Sequence, residues 1–221
     1  MREICGTLFQ SLDGVMQAPG SREEDPTGGF DLGGWQFGFP DEEAGEAIGA
    51  SLAPPYALLL GRRTYDIFAA YWPFHEGEDK SIADAFNAAE KYVLTTSDAP
   101  LDWANSHRLR GFDDLAALRD GDGPRLQIWG SSTLYPGLIE RGLLDRLSLL
   151  TYPLILGKGK RSFPGGTPPA TLRFESGRTT SKGTAVATFV PTPGVALGSS
   201  PPNSPNPREQ ARQAAIKENR W

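Results

Sequence analysis

A largely parallel α/β sheet in three layers, with helices on both faces and an antiparallel C-terminal edge, is the fold this sequence predicts. Three observations predict it. Up to about residue 141, short apolar runs alternate with helix-forming segments. Two of those runs, Tyr56–Leu60 and Leu126–Trp129, end in a glycine that opens a helix, Gly61 and Gly130. Past residue 143 the helices stop, and three apolar stretches follow with only turns and loops between them.

Each element has its own signal. Residues 2–10 read as a first strand, ended by the turn Ser11-Leu12-Asp13-Gly14. Val15 to Pro40 is rich in Gly, Pro and acids and has no period, so it reads as a long loop. Its aromatics Phe30, Trp35, Phe37 and Phe39 either pin it to the core or make it a lid over a flat ligand. Asp41 caps a helix running to Leu52, with Glu42 and Glu43 in its first turn and Ala44, Ala47, Ile48 and Leu52 as its stripe. The strand Tyr56–Leu60 and a helix from Thr64 to about Ala70 follow, then a short helix at Ser81–Ala89. Lys91–Thr95 is the next strand and Ser106–Leu109 a short one, before a helix at Asp113–Arg119. Leu126–Trp129 is buried strand again, with a helix behind it to about Arg141. Asp145–Tyr152, Thr171–Glu175 and Thr184–Val190 are the late strands.

Two regions are expected: a domain over residues 1–190 and a tail over 191–221. Pro, Gly, Ser and Asn dominate residues 191–206, the composition of a linker. Beyond it the tail is either disordered or a helix that starts at Pro207 and is anchored by Ile216 and Trp221.

Composition narrows the function classes. A formal charge of -5 argues against nucleic acid, which selects a basic face. No stretch approaches the roughly 18 apolar residues of a membrane span, and Met1 to Cys5 lacks a signal peptide's apolar core. One cysteine allows no internal disulfide and suits a reducing cytoplasm. Cys5 reads as a buried small residue of the first strand. With only His75 and His107, both in polar or aromatic loop surroundings, no Cys/His zinc set is available and no metal is expected.

Ligands of open parallel sheets gather at the carboxyl ends of the strands. Three such ends carry small and polar residues: Gly61-Arg62-Arg63-Thr64, then Leu94-Thr95-Thr96-Ser97, then Gly130-Ser131-Ser132-Thr133. Glycines admit a ligand to the backbone, helix N-termini favour an anion, and hydroxyls suit phosphate or ribose. Arg62 and Arg63 would select an additional phosphate, favouring NADPH over NADH. Read singly, each cluster is equally well a capped turn or a solvated helix start; at three corresponding strand ends they point to one nucleotide. No Walker-type loop and no Gly-x-Gly-x-x-Gly turn is present.

The blocks Ser11-Leu12-Asp13-Gly14, Leu60-Gly61-Arg62-Arg63-Thr64-Tyr65, Val93-Leu94-Thr95-Thr96-Ser97, Trp129-Gly130-Ser131-Ser132 and Pro153-Leu154-Ile155-Leu156-Gly157 stand in a familiar order. In that order the chain resembles the dihydrofolate reductase-like family over about residues 1–190. Within it the chain is most similar to the reductase domain of riboflavin biosynthesis, the C-terminal half of a bifunctional deaminase-reductase, and to its stand-alone relatives. The resemblance implies an NADPH-dependent oxidoreductase that passes a hydride to a small heterocyclic or ribosyl-pyrimidine-type substrate, often as a homodimer. It places Gly61 to Thr64 at the pyrophosphate and 2′-phosphate, Thr95 to Ser97 near the adenosine, and Gly130 to Thr133 against the pyrophosphate on the nicotinamide side. Asp13 and the following loop would form the lid, and Trp35 is the candidate ring for stacking a substrate. The family's second glycine after the strand is Ser131 here. No single acid stands out as proton donor among Asp31, Asp41, Glu42 and Glu43, so the catalytic residue is left open. Gly157-Lys158-Gly159-Lys160-Arg161 is either a basic ligand-facing loop or a glycine turn with solvated lysines. Folate or pterin reduction, and a non-catalytic nucleotide- or partner-binding role, are the competing readings.

Overall fold

The computed structural model describes residues 1–77, 79–198 and 206–220. Its strands are β1 (Ile4–Ser11), β2 (Tyr56–Gly61), β3 (Lys91–Leu94), β4 (Ser106–Leu109), β5 (Arg125–Trp129), β6 (Arg146–Tyr152), β7 (Ala170–Thr179) and β8 (Ala185–Pro193). Its helices are α1 (Glu42–Ser51), α2 (Arg62–Tyr71), α3 (Lys80–Ala88), α4 (Phe112–Asp120), α5 (Tyr135–Glu140) and α6 (Pro207–Lys217). All eight strands form one sheet in the order β4-β3-β2-β5-β1-β6-β8-β7. The first six run parallel; β8 is antiparallel to β6 and β7 to β8. This is the mostly parallel sheet with an antiparallel C-terminal edge that the alternation predicts, in the dihydrofolate reductase-like architecture that the resemblance implies.

Boundaries shift where backbone chemistry overrides composition. Gly61 is extended and serves as the N-cap of α2, so that helix begins at Arg62 rather than Thr64. The hairpin β7–β8 runs to Thr179 and Pro193, beyond the expected Glu175 and Val190. A bulge between Phe174 and Ser176 absorbs the extra length. In the tail, Asn206 caps α6 by accepting the Glu209 N–H at 2.8 Å, with Pro207 at the first helical position. Trp221 and residues 199–205 of the linker lie outside the described residues.

Period-2 alternation sends each strand's residues to opposite faces. One face carries Ile4, Leu8, Ala57, Leu59, Leu126, Ile128 and Leu147, buried with α4 and α5. Here the approach is close: a Cβ on Gly6 would stand 2.5 Å from the Tyr135 hydroxyl, so only glycine lets α5 settle on β1. The other face is divided along the strands. Towards the carboxyl ends it is aromatic and aliphatic, with Phe9, Trp129, Leu60, Leu150 and Tyr152 under Trp35, Phe86 and Trp72. Towards the amino ends the same strands carry Cys5, Thr7, Arg125, Gln127, Arg146 and Ser148. No helix among the described residues is long and apolar enough to cross a membrane.

Candidate active site at the carboxyl edge of the sheet

The sheet order sets β3, β2, β5, β1 and β6 side by side, so the turns after them share one edge. The β2 and β5 turns are bolted together there. The Gly61 N–H donates to Ser131 Oγ at 3.0 Å, and the Ser131 N–H donates to Thr64 Oγ1 at 3.2 Å. Gly130 (φ 62°) and Ser131 (φ 49°) are both left-handed. Ser131 therefore takes the conformation a second glycine would supply, and its hydroxyl gains a bond that glycine lacks. Thr133 Oγ1 lies 3.7 Å from where a Gly61 Cβ would stand, and Ser132 opens the short 3₁₀ turn leading into α5. Thus Gly61, Thr64, Gly130, Ser131, Ser132 and Thr133 form one junction.

Leu94 pairs with Gly61 in the sheet register, which brings the third cluster alongside. Thr95 is buried, and its Oγ1 accepts the Ser97 N–H at 3.1 Å; Thr96 and Ser97 are exposed. Three guanidinium groups hold the loop that follows. Arg62 binds both Asp66 oxygens at 2.9 and 3.0 Å and donates to the Ala99 carbonyl at 2.8 Å. Arg108 donates to the Ser97 and Ala99 carbonyls. Arg110 donates to the Thr96 carbonyl at 3.2 Å and to Asp98 at 2.6 Å. Arg108 and Arg110 escaped the sequence reading, although two arginines at the end of a strand beside a Thr/Ser loop are a signal of the same kind as Arg62 and Arg63. Arg63 is exposed and makes no hydrogen bond or ion pair among the described residues. The two adjacent arginines thus differ: one is committed to the fold, the other is free.

On the β1 and β6 side, Asp13 ties two turns together. Its carboxylate accepts the Leu156 N–H at 3.1 Å, the Gly157 N–H at 2.9 Å and the Ser11 hydroxyl at 2.6 Å. The Ser11 hydrogen bond, followed by those two amides, lowers its pKa to about 2. Lys160 binds Asp25 and Thr27, Lys158 binds Asp31 at 2.8 Å, and Arg161 donates to the Asp13 carbonyl. The basic segment therefore braces the long loop, around a cavity of about 280 Å³ whose lining includes Gln17, Thr27, Phe30, Lys158 and Lys160. Trp35 is 8% exposed; its Nε1 donates to the Gln17 carbonyl at 2.9 Å and its ring meets Tyr152 edge-on. Of the loop's aromatics, Phe30 is buried with it, while Phe37 projects into solvent at 68% exposure.

Among the acids considered as proton donors, Asp31 has its pKa lowered by the Lys158 contact. Burial works to raise that of Asp41, but hydrogen bonds from Thr180, Thr184 and the α1 backbone outweigh it. Both are thereby favoured as carboxylates. His107 pairs with Glu90 and stacks on Tyr92, and His75 lies tilted against the Tyr71 ring.

Such an edge can hold an elongated anion. The α2 N-terminus has no side-chain cap, so its first-turn amides are free to meet a phosphate, with Arg63 beside them and the Thr96–Ser97 loop one strand further on. The residues present fit a dinucleotide phosphate. Fold and edge together define an α/β domain able to hold a phosphate-bearing ligand at the carboxyl ends of its strands.

The chain belongs to the RibD C-terminal domain family, whose model matches residues 2–186. It is 26% identical over 132 residues to the uncharacterized protein YyaP of Bacillus subtilis (strain 168), covering 57% of this chain and 69% of that protein. Its fold is shared with the crystal structure of a "Putative riboflavin biosynthesis protein" from Shewanella sp. PV-4, at a TM-score of 0.62 and 17% identity. That match covers 86% of this chain and 99% of the other. Membership of that family gives the chain a reductase-like role in coarse terms.

Proposed function

We propose that this protein is an NADPH-dependent reductase acting on a small heterocyclic or ribosyl-pyrimidine-type substrate, as in riboflavin biosynthesis. The observation that carries the reading is the junction of Gly61, Thr64 and Ser131, with an uncapped helix N-terminus and the unengaged Arg63 at its mouth. Gly61 to Thr64 and Gly130 to Thr133 would hold the pyrophosphate, and Leu94 to Ser97 would flank the adenosine. Arg63 would take the 2′-phosphate while Arg62 holds the loop beneath it. The cofactor, when bound, supplies the hydride. The chain's own part is orientation and exclusion of water: Asp13 fixes the β1 and β6 turns, and the braced loop with Trp35 closes over the aromatic half of the sheet.

The test is a titration with NADPH followed by tryptophan fluorescence, then a screen of NADPH oxidation against riboflavin-pathway and pterin intermediates. Saturable quenching and turnover of a ribosylamino-pyrimidine is the expected result. Absence of binding up to about millimolar cofactor, a weak affinity by any scale, would reject the reading. Turnover of dihydrofolate with inhibition by antifolates would move it to folate reduction.

A further inference from the structure

The β2 and β5 turns exchange hydrogen bonds, each giving an amide to the other's hydroxyl. Gly61 N–H goes to Ser131 Oγ at 3.0 Å, and Ser131 N–H to Thr64 Oγ1 at 3.2 Å. The exchange follows from the sheet. The Leu58 N–H donates to the Glu90 carbonyl on the β3 side, so by alternation along the strand the Gly61 N–H faces β5. The β2–β5 register stops at Leu58 and Gln127, short of Gly61. Beyond Trp129 the chain turns away through two left-handed residues, Gly130 (φ 62°) and Ser131 (φ 49°). The Ser131 hydroxyl, brought round by that turn, takes the Gly61 amide.

Serine is strained in a left-handed conformation that glycine adopts freely. Strain of this kind persists where the surroundings hold it, and it gathers at functional sites. Ser131 is held on both sides, by its own amide on Thr64 and by its hydroxyl under Gly61, and is only 6% exposed. Both amides of the exchange are thereby spent inside the chain. Those of Arg62, Arg63 and Thr64, the first turn of α2, have no side-chain cap and stay open to a ligand.

We infer that Ser131 is a positioning residue for the phosphate chain of the proposed cofactor. Its hydroxyl fixes the β5 turn against the first turn of α2 before any ligand arrives, so the three open amides face the anion at one set distance from Gly130. The phosphate seat is then Arg62 to Thr64, with the Gly61 amide withheld from it. Glycine at 131 would release the strain and lose the acceptor. The identity of the ligand rests on the cofactor reading above; the bond between the turns does not.

Ser131→Gly and Ser131→Ala separate the hydroxyl from the backbone conformation, since both remove the acceptor and only alanine keeps the strain. Melting temperature should follow the strain, with Ser131→Gly about 2 °C or more above Ser131→Ala. Affinity should follow the hydroxyl: both variants should lose about fivefold for NADPH, the value of one hydrogen bond. Inorganic pyrophosphate, which needs no nicotinamide site, is the second probe and should lose affinity in step. By NMR, the Gly61 amide should exchange its hydrogen faster in both variants than in the native chain. Should Ser131→Ala not fold, Ser131→Gly alone decides. A folded Ser131→Gly chain that binds both probes within about twofold of the native affinity overturns the inference. So does a Gly61 amide that exchanges alike in native and variant chains, or a native chain that binds neither probe. If no chain binds NADPH but the variants lose pyrophosphate affinity, the positioning role stands and only the cofactor reading falls.

Discussion

At the scale of single residues, Arg62 and Arg63 are neighbours in sequence with opposite employment. Arg62 spends its guanidinium on Asp66 and the Ala99 carbonyl, and Arg63 on nothing within the described chain. If Arg63 meets the 2′-phosphate, Arg63→Ala should raise the Kd for NADPH about tenfold to a hundredfold, the value of a charge-assisted bond. Its NADH affinity should stay within about twofold, since NADH has no group there. Arg62→Ala should weaken both cofactors alike by freeing the loop. Isothermal titration of the two variants with both cofactors separates the cases. Gly61 offers a second test. Its φ of -78° suits any residue, and an added Cβ meets only ordinary contacts at 3.7 and 3.8 Å. Gly61→Ala should therefore change folding stability by less than ~1 kcal/mol, yet place a methyl group where the cofactor backbone must approach, with a loss of about tenfold in NADPH affinity. Equal affinity would mean that this glycine serves the fold alone. Asp13 gives a third. Its folded pKa of about 2 lies below the unfolded value of 3.8, so the folded chain binds fewer protons. The stabilisation is complete above pH 4 and disappears as pH falls through 2. Melting temperatures across that window should fall more steeply for the native chain than for Asp13→Asn, which has already lost the charge.

Elements are fastened to one another by similarly specific contacts, and Lys91 is the clearest. This fully buried lysine opens β3 and donates at 2.8 Å to both the Asn87 and Ala89 carbonyls at the end of α3, with its ammonium 4.4 Å from the Trp103 ring centroid. Burial pulls its pKa down to about 8. Between that value and the usual lysine range the unfolded chain holds more protons, so the native state gains stability as pH rises from 8 towards 10. Cys5 works the other way, because burial lifts its thiol to about 11 and its contribution is lost as pH rises. Chemical denaturation in a Cys5→Ala background isolates the lysine: stability should climb with pH there and lie flat once Lys91→Met is added. A lysine inside a helix–strand corner has no sequence signal, since Glu90-Lys91 reads as an ordinary polar boundary. The strands and helices themselves were legible, because periodicity and glycine stops report burial directly. The three strand-end clusters were legible as well, for parallel strands leave their carboxyl turns on one edge whatever the order of the strands. What the chain did not disclose was partnership. Nothing in Gly-Arg-Arg-Thr tells which arginine bends back to Asp66, and nothing in Thr96-Ser97-Asp98-Ala99 announces that Arg108 of β4 and Arg110 just beyond it grip three of its carbonyls and the Asp98 carboxylate.

Over the whole molecule, organisation runs along the strands rather than across them. Carboxyl ends gather the glycine turns, the arginine-held loop and the aromatic cluster; amino ends open into a polar trench. The turns that would hold the cofactor and the polar trench therefore occupy opposite ends of one sheet. That separation bears on the tail. The family match ends at residue 186, the last strand β8 continues to Pro193, and α6 follows from Pro207. Val195 and Leu197 are exposed, as is half of Ile216, so this stretch contributes nothing to either buried cluster. If residues 1–190 are the functional unit, stability and catalysis should both ignore what lies beyond β8. Removing residues 199–221 should then leave the melting temperature within about 2 °C, the shift of a fraction of a kcal/mol for a domain of this size, and the NADPH affinity unchanged. Cutting instead before Ala185 removes β8, strands β7 without a partner and exposes Leu147 and Leu150, and that chain should not fold. A tail deletion that lowered cofactor affinity would make α6 part of the reductase; one that left affinity intact but released a bound protein in pull-downs would assign the tail to a partner.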